Sequence, residues 1–421
     1  MVDSVVITGC GVTCCLGNTA DSLFSALIAG KSGVHKTRGY DEEGLSMTPS
    51  AQAHCLDAES VGISQKHARI MNTHSYLLME SAISAYKSAR FGEDLYPPNR
   101  IGFFAGLGMV DYETSDLLPA VLKSWQNEFN YDTFFTKGYR EIYPLWPLAM
   151  LNNIAFCQGS ITLNLRGDNT VCSPHGESAV YAITEGISSV LNCKSAAVIV
   201  GGVSEKVNPQ SLIKGRVFEI ISKDSTEDAL RPFSQKRAGS ILGEAGAFVA
   251  LEPYHAAKKR GIPFISSITG WGFAFDYEDN GFSFPTTEAI VHSMEVAIAR
   301  SGITPEDVDV VIAHADGTHS DTNEIEAINA VFSHSEKTLV TATTGAIGNT
   351  FAATPAINII LADCMIKHST VPPSLNSTPL DDRIKFKFVT GKPVNAKVNT
   401  VLINSLSYEG HASTIIVQRC A

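Results

Sequence analysis

The sequence is poor in charge and poorer still in positive charge. Asp, Glu, Lys and Arg make up 18% of its 421 residues, against 44% hydrophobic, and 43 acidic side chains face 32 basic ones. A formal net charge of -11 argues against nonspecific nucleic-acid binding, which needs cationic surface. Long apolar runs are missing too: no window reaches the length of a membrane span. The residues from Met1 to Gly9 lack a basic stretch followed by a long apolar run, so no secretory leader is read there. Nine cysteines occur without ligand spacing, and the adjacent pair Cys14-Cys15 cannot clamp a metal as a Cys-x-x-Cys unit would. The odd count suggests reduced thiols and a cytoplasmic home. Gly9 and Gly11 follow an apolar strand, but the third glycine of a dinucleotide fingerprint is absent.

What is present is enough apolar residue for a large double core. Val5 to Val12 reads as a buried strand running into a glycine turn. Met71 to Ala89 has helical spacing of Leu78, Ala82 and Ala85. Arg100 to Gly106 reads as a strand and turn, and Ser160 to Leu165 alternates as a strand. Ala196 to Val200 reads as a strand ended by Gly201-Gly202. A helix-like run ends near Leu191, with Ala179, Val180, Ile183, Ile187 and Val190 on one face. Continuous apolar runs between helices predict mainly parallel sheets covered on both faces. The second half repeats the first: Phe264 to Gly272 is similar to Val5 to Gly11, and a glycine turn before Ala352, Ala356, Ile359 and Ile360 is similar to the central stretch from Asp168 to Ala179.

That central stretch, Asp168-Asn169-Thr170-Val171-Cys172-Ser173-Pro174-His175-Gly176-Glu177-Ser178-Ala179, puts a side chain at a helix N-terminus, where amides favour negative charge and suit a nucleophile. Cys172 invites reading as that nucleophile, with a buried strand cysteine as the plainer reading. His175 at the turn fits a turn or interface hydrogen bond. Glu177 fits either the favourable first turn of a helix or a hydrogen bond across an interface. His314, Asp316 and His319 form a metal set only if they converge, which nothing in the spacing shows.

Val6-Ile7-Thr8-Gly9-Cys10-Gly11-Val12, Leu230-Arg231-Pro232-Phe233, Leu242-Gly243-Glu244-Ala245-Gly246-Ala247, Asp316-Gly317-Thr318 and Gly348-Asn349 together resemble β-ketoacyl synthases of the thiolase-like superfamily over nearly the whole chain. The resemblance implies an α/β, five-layer αβαβα fold with duplicated halves, here residues 1–256 and 257–421. Such synthases carry a cysteine nucleophile ahead of a buried helix, and two histidines that support decarboxylative condensation. An ungapped match from Gly167 through Gly202 sets Gly176 at the nucleophile. A gapped alternative sets Cys172 there. By the motifs, Asp316 replaces the first histidine, Asn349 the second, and Thr344 stands where a lysine is usual. Gly176 cannot form a thioester, Asp316 brings negative charge against a developing enolate, and Asn349 cannot exchange a proton.

The resemblance is then to a chain-length-factor-like, noncatalytic subunit of a type II polyketide synthase. It implies an active ketosynthase as heterodimer partner, with polyketide or aryl-polyene products. The chain itself is expected to hold no cofactor or metal. The partner complex is expected to use phosphopantetheine thioesters on an acyl carrier protein, itself acidic, which must meet a local basic patch or dock on the partner. Met109, Tyr112, Thr114, Tyr143 and Trp146 are candidates for tunnel or interface. Tyr408 stands at the family's aromatic gate. The alternatives are a divergent active synthase using Cys172, and a noncatalytic acyl-binding assembly protein.

Overall fold

A computed structural model describes residues 4–40, 47–54, 57–59, 61–92, 95–112, 114–173, 176–276, 284–335 and 337–420. Its main sheet holds eleven strands. The first half supplies β1 (Val5–Cys14), β2 (Ile101–Leu107), β3 (Asn169–Cys172), β4 (Ala197–Glu205) and β5 (Glu244–Pro253). The second supplies β6 (Ser266–Phe275), β7 (Val310–Ile312), β8 (Leu339–Thr341), β9 (Lys387–Phe388), β10 (Thr400–Leu406) and β11 (His411–Arg419).

The order across the sheet is β9-β8-β7-β10-β11-β6-β1-β5-β4-β2-β3. Read inward from either side, the halves repeat one pattern. The strands β3, β2 and β4 are parallel neighbours, and β5 and β1 follow antiparallel. Likewise β8, β7 and β10 are parallel, and β11 and β6 follow antiparallel. The expectation of mainly parallel sheets is therefore corrected: each half is mixed. Within the sheet, among the described residues, the halves pair where Val5 and Val6 of β1 lie against Ile268 and Ser267 of β6.

Six helices form the other layers: α1 (Thr73–Ser88), α2 (Asn152–Thr162), α3 (Ser178–Leu191), α4 (Thr287–Ser301), α5 (Ser320–Val331) and α6 (Thr354–His368). The helix α1 starts where Asn72 accepts a hydrogen bond from the Ser75 amide at 3.1 Å. The equivalent α4 starts at Thr286, capping Ala289, and stops at left-handed Gly302. Each covers the outer face of its own sheet. Between the two halves of the sheet lie α3 and α6, buried over most of their surface. Ile183 and Ile187 of α3 share one core with Ile357 and Ile360 of α6 and with strands of both halves. Each such fully buried side chain contributes roughly 1.5–3 kcal/mol.

Three local expectations differ from the structure. Gly9 and Gly11 do not make a turn; β1 runs straight through them. A Cβ at Gly11 would stand 2.0 Å from the Ser81 carbonyl oxygen, so the missing side chains let α1 lie close on the strand. Gly270 and Gly272 do the same for α4, where a Cβ on Gly272 would meet Ser293 O at 2.0 Å. Likewise β4 continues through Gly201-Gly202 to Glu205. Ser160 to Leu165 is the end of α2 and a turn; the strand before the central turn is Asn169–Cys172. Among the described residues no helix is long and apolar enough to cross a membrane.

Candidate active-site cleft

Four connections converge at one end of the central layer. Gly176 lies between β3 and α3, Asp316 follows β7, Asn349 precedes α6, and Tyr408 sits in the β10–β11 turn. Gly176, His314, Asn349 and Tyr408 line a cleft of about 380 Å³, whose walls are mostly apolar, with Leu242, Phe351 and Leu406. Asp316 lies behind this surface, fully buried.

The Asp316 carboxylate is thoroughly bonded. Oδ2 of Asp316 accepts from the Tyr408 hydroxyl at 2.7 Å and from Nδ2 of Asn349 at 3.3 Å. Asn349 Nδ2 also donates to the Tyr408 oxygen at 2.9 Å. These three side chains close a ring. Oδ1 accepts from the amide of Thr318 at 3.0 Å and from its hydroxyl at 2.6 Å. Nε2 of His314 is 3.7 Å from Oδ2. Burial pushes the Asp316 carboxyl up, but His314, with Thr318 and Tyr408, outweighs it and holds the group below its ordinary value. Burial pulls His314 down, but Asp316, then Glu324 and Asp321, more than offset this and raise it. Burial and then Asp316 push the Tyr408 phenol well up, which keeps it a donor.

Two more buried acids shape the turn. Glu324 accepts from the amides of His314 and Ala315 at 2.9 and 2.8 Å, and from Asn404 at 3.0 Å. Asp321 accepts from the amides of Gly317 and Phe233 at 3.2 and 2.9 Å. Burial raises both carboxyls, Asp321 well above its ordinary value. Thr344 donates to the Ala315 carbonyl at 2.5 Å, bracing the same turn.

Gly176 is not needed for backbone reasons. Its φ is not among the positive ones, and an added Cβ would sit 3.7 Å from Leu406 O and 3.8 Å from Ser407 Cβ, ordinary contacts. Room for a side chain exists where none is present. Cys172 is half-buried at the end of β3, and burial, then Glu185, pushes its thiol up to about 11. A thiol so raised is a poor nucleophile at neutral pH. Glu177 is fully buried at the α3 N-cap, 3.7 Å from Nδ1 of His411. His319 is exposed. His175 lies outside the described residues.

The tunnel candidates divide. Met109 lines the apolar cleft. Tyr143 and Trp146 line a second cleft of about 210 Å³, richer in polar groups. Among the described residues Tyr112 and Thr114 line neither; Thr114 opens a helix, Thr114–Lys123. Sequence reading missed Asp111, Ser211, Lys206 and Lys214. Asp111 accepts from Ser211 at 2.5 Å, from Lys206 at 3.1 Å and from Lys214 at 2.8 Å. Burial raises its carboxyl, but the two lysines and Ser211 overcome that and bring it down to about 2. Residues about a hundred positions apart leave no local pattern by which to find such a set.

Residues 2–257 match the β-ketoacyl synthase N-terminal domain and residues 265–378 its C-terminal domain. The chain is 28% identical over 419 residues to 3-oxoacyl-[acyl-carrier-protein] synthase 2 of Coxiella burnetii, covering 99% of this chain and 98% of that one. Its fold is similar to the ishigamide ketosynthase/chain length factor, with a TM-score of 0.87, 20% identity and full coverage of both chains. It is also similar to AntDE:AntF, a type II PKS acyl-carrier protein in complex with its ketosynthase bound to the hexaketide, with a TM-score of 0.83, 18% identity and full coverage of both. With both domains matched along this duplicated architecture, the chain belongs to the β-ketoacyl synthase family.

Proposed function

We propose that this chain is a chain-length-factor-like subunit: it pairs with an active ketosynthase, leaves bond formation to it, and shapes the space in which a polyketide or aryl-polyene chain grows. The observation that carries this reading is the closed ring of Asp316, Asn349 and Tyr408 beside an empty position at Gly176. A condensing site needs a nucleophile and groups that stabilise an enolate. Here Gly176 offers no nucleophile. The carboxylate is held ionised by its partners, and the asparagine is bonded to both neighbours.

A partner surface supports the reading. The segment between β2 and β3 exposes Leu122, Trp125, Tyr131, Phe135, Tyr143 and Ile161, with Tyr131 and Phe135 about 70% and 69% accessible. Beside it β3 is the edge of the sheet. Exposed aromatic and aliphatic side chains in the segment before an edge strand suit a protein interface. On this reading an acyl carrier protein delivers phosphopantetheine thioesters to the complex, and the seam between the halves lies near residue 257, in the helix Tyr254–Lys259.

The second reading is a divergent active synthase using Cys172, favoured by the name of the Coxiella relative. Co-expression with a candidate ketosynthase from the same gene neighbourhood tests the first reading. Elongation by the isolated chain, lost in Cys172→Ala, establishes the second.

A further inference from the structure

Among the described residues, Asp111 is the one that lines both clefts. We infer that Asp111, clamped by Lys206, Lys214 and Ser211, is the partition that sets where an acyl chain stops. This rests on the reading above, that the apolar cleft takes an acyl chain.

On one side lies the cleft of about 380 Å³, with Phe218, Ile221, Leu242 and Phe351 in its walls. On the other lies the cleft of about 210 Å³, which Glu205 and Glu244 share with Tyr143 and Trp146. The Asp111 side chain is 6% exposed, and all three of its neighbours hold it from the same wall. Lys206 also donates to the Met109 carbonyl and lies 3.7 Å from Glu205. It therefore fixes the chain on both sides of the partition. An ionised pair at this depth cannot be pushed aside by a methylene chain without losing its bonds. An alkyl chain entering the first cleft gains by burial until it meets this pair, and there the gain ends.

The far chamber is not a simple extension of the near one. Its lining is largely polar, with Arg69, Asn72 and Asn208 among the residues that form it. A chain reaching it would be favoured if its end carried oxygen, since those polar groups would otherwise lose water without a replacement partner. The partition thus separates a chamber suited to methylenes from one suited to an oxygenated terminus. Removing it should lengthen the accepted chain and select for a hydroxyl or carbonyl at its end.

The test is calorimetric titration of the full chain with ω-hydroxyacyl pantetheines of increasing length. In the unmodified protein affinity should climb by about fourfold per methylene and then fall sharply at one length. In Asp111→Ala the fall should move by at least about two methylenes, a gain of more than tenfold for chains previously rejected. Adding Ala149→Phe, which fills the second cleft from its own wall, should return the fall to its original length. The double variant Asp111→Ala/Lys206→Met removes both charges of that pair, leaves Glu205 with His74 at 3.0 Å, and answers the same question if the single variant does not fold. A folded variant whose limit stays put overturns the partition while leaving the acyl cleft intact. Failure of every chain to bind the unmodified protein overturns the acyl-cleft reading, and the partition with it.

Discussion

The Tyr408 hydroxyl donates to Oδ2 of Asp316 across 2.7 Å, joining the turn between β10 and β11 to the loop after β7. Two residues from segments about ninety positions apart thus hold each other. Replacing the phenol with a phenyl leaves a buried carboxylate short of a donor. Tyr408→Phe should cost about 1–3 kcal/mol, read as a lower urea midpoint with unchanged slope. An unchanged midpoint would mean that the bond contributes nothing to holding the ring closed.

Gly176→Cys should be tolerated, because its Cβ meets only ordinary contacts. Its stability should stay within about 0.5 kcal/mol of the parent. The new thiol, next to the start of α3, should react with iodoacetamide faster than Cys172, whose thiol burial raises to about 11. Chain elongation should still be absent, since Asp316 and Asn349 remain. Elongation by this variant alone would show that those two residues suffice beside a thiol.

His314 should make stability depend on pH. Its folded value is raised above 6.5 by Asp316, Glu324 and Asp321, against the opposing effect of burial. A raised histidine stabilises fully below its unfolded value, and that contribution is lost as pH rises through the folded value. Thermal melts of His314→Gln should therefore fall furthest behind the parent below pH 6.5 and close the gap at higher pH. A gap that widens with pH would contradict the ion pair with Asp316.

The exposed aromatics give a direct handle on the proposed ketosynthase partner. Tyr131→Asp and Phe135→Asp change side chains that are already solvent-exposed, so circular dichroism should be unchanged. Binding to the cognate ketosynthase should weaken by about 2 kcal/mol or more for at least one, roughly thirtyfold in Kd. Unaltered binding by both would move the interface elsewhere.

The layered architecture was legible because it is encoded in motifs, and the motif residues proposed as degenerate positions come together in space. Gly176, Asp316, Asn349 and Tyr408 converge on one place in the fold. What was not legible depended on tertiary approach. Gly9 and Gly11 read locally as a turn, whereas their reason, shared by Gly270 and Gly272, is helix backbone lying within about 2–3 Å of where a Cβ would stand. The alternation from Ser160 to Leu165 looked like a strand but caps the end of a helix. The ring among Asp316, Asn349 and Tyr408 needs three segments to meet, and no spacing announces it. The same holds for Asp111, which acquires meaning only from Lys206, Lys214 and Ser211.

The central claim is that this chain supports condensation without performing it. The most direct measurement is co-purification with a candidate ketosynthase from the same gene neighbourhood, followed by assay with malonyl units on the acyl carrier protein. The account predicts a stable one-to-one complex that elongates, with activity lost when the partner's nucleophile is removed and kept in Cys172→Ala. Elongation by this chain alone, abolished by Cys172→Ala, would contradict it.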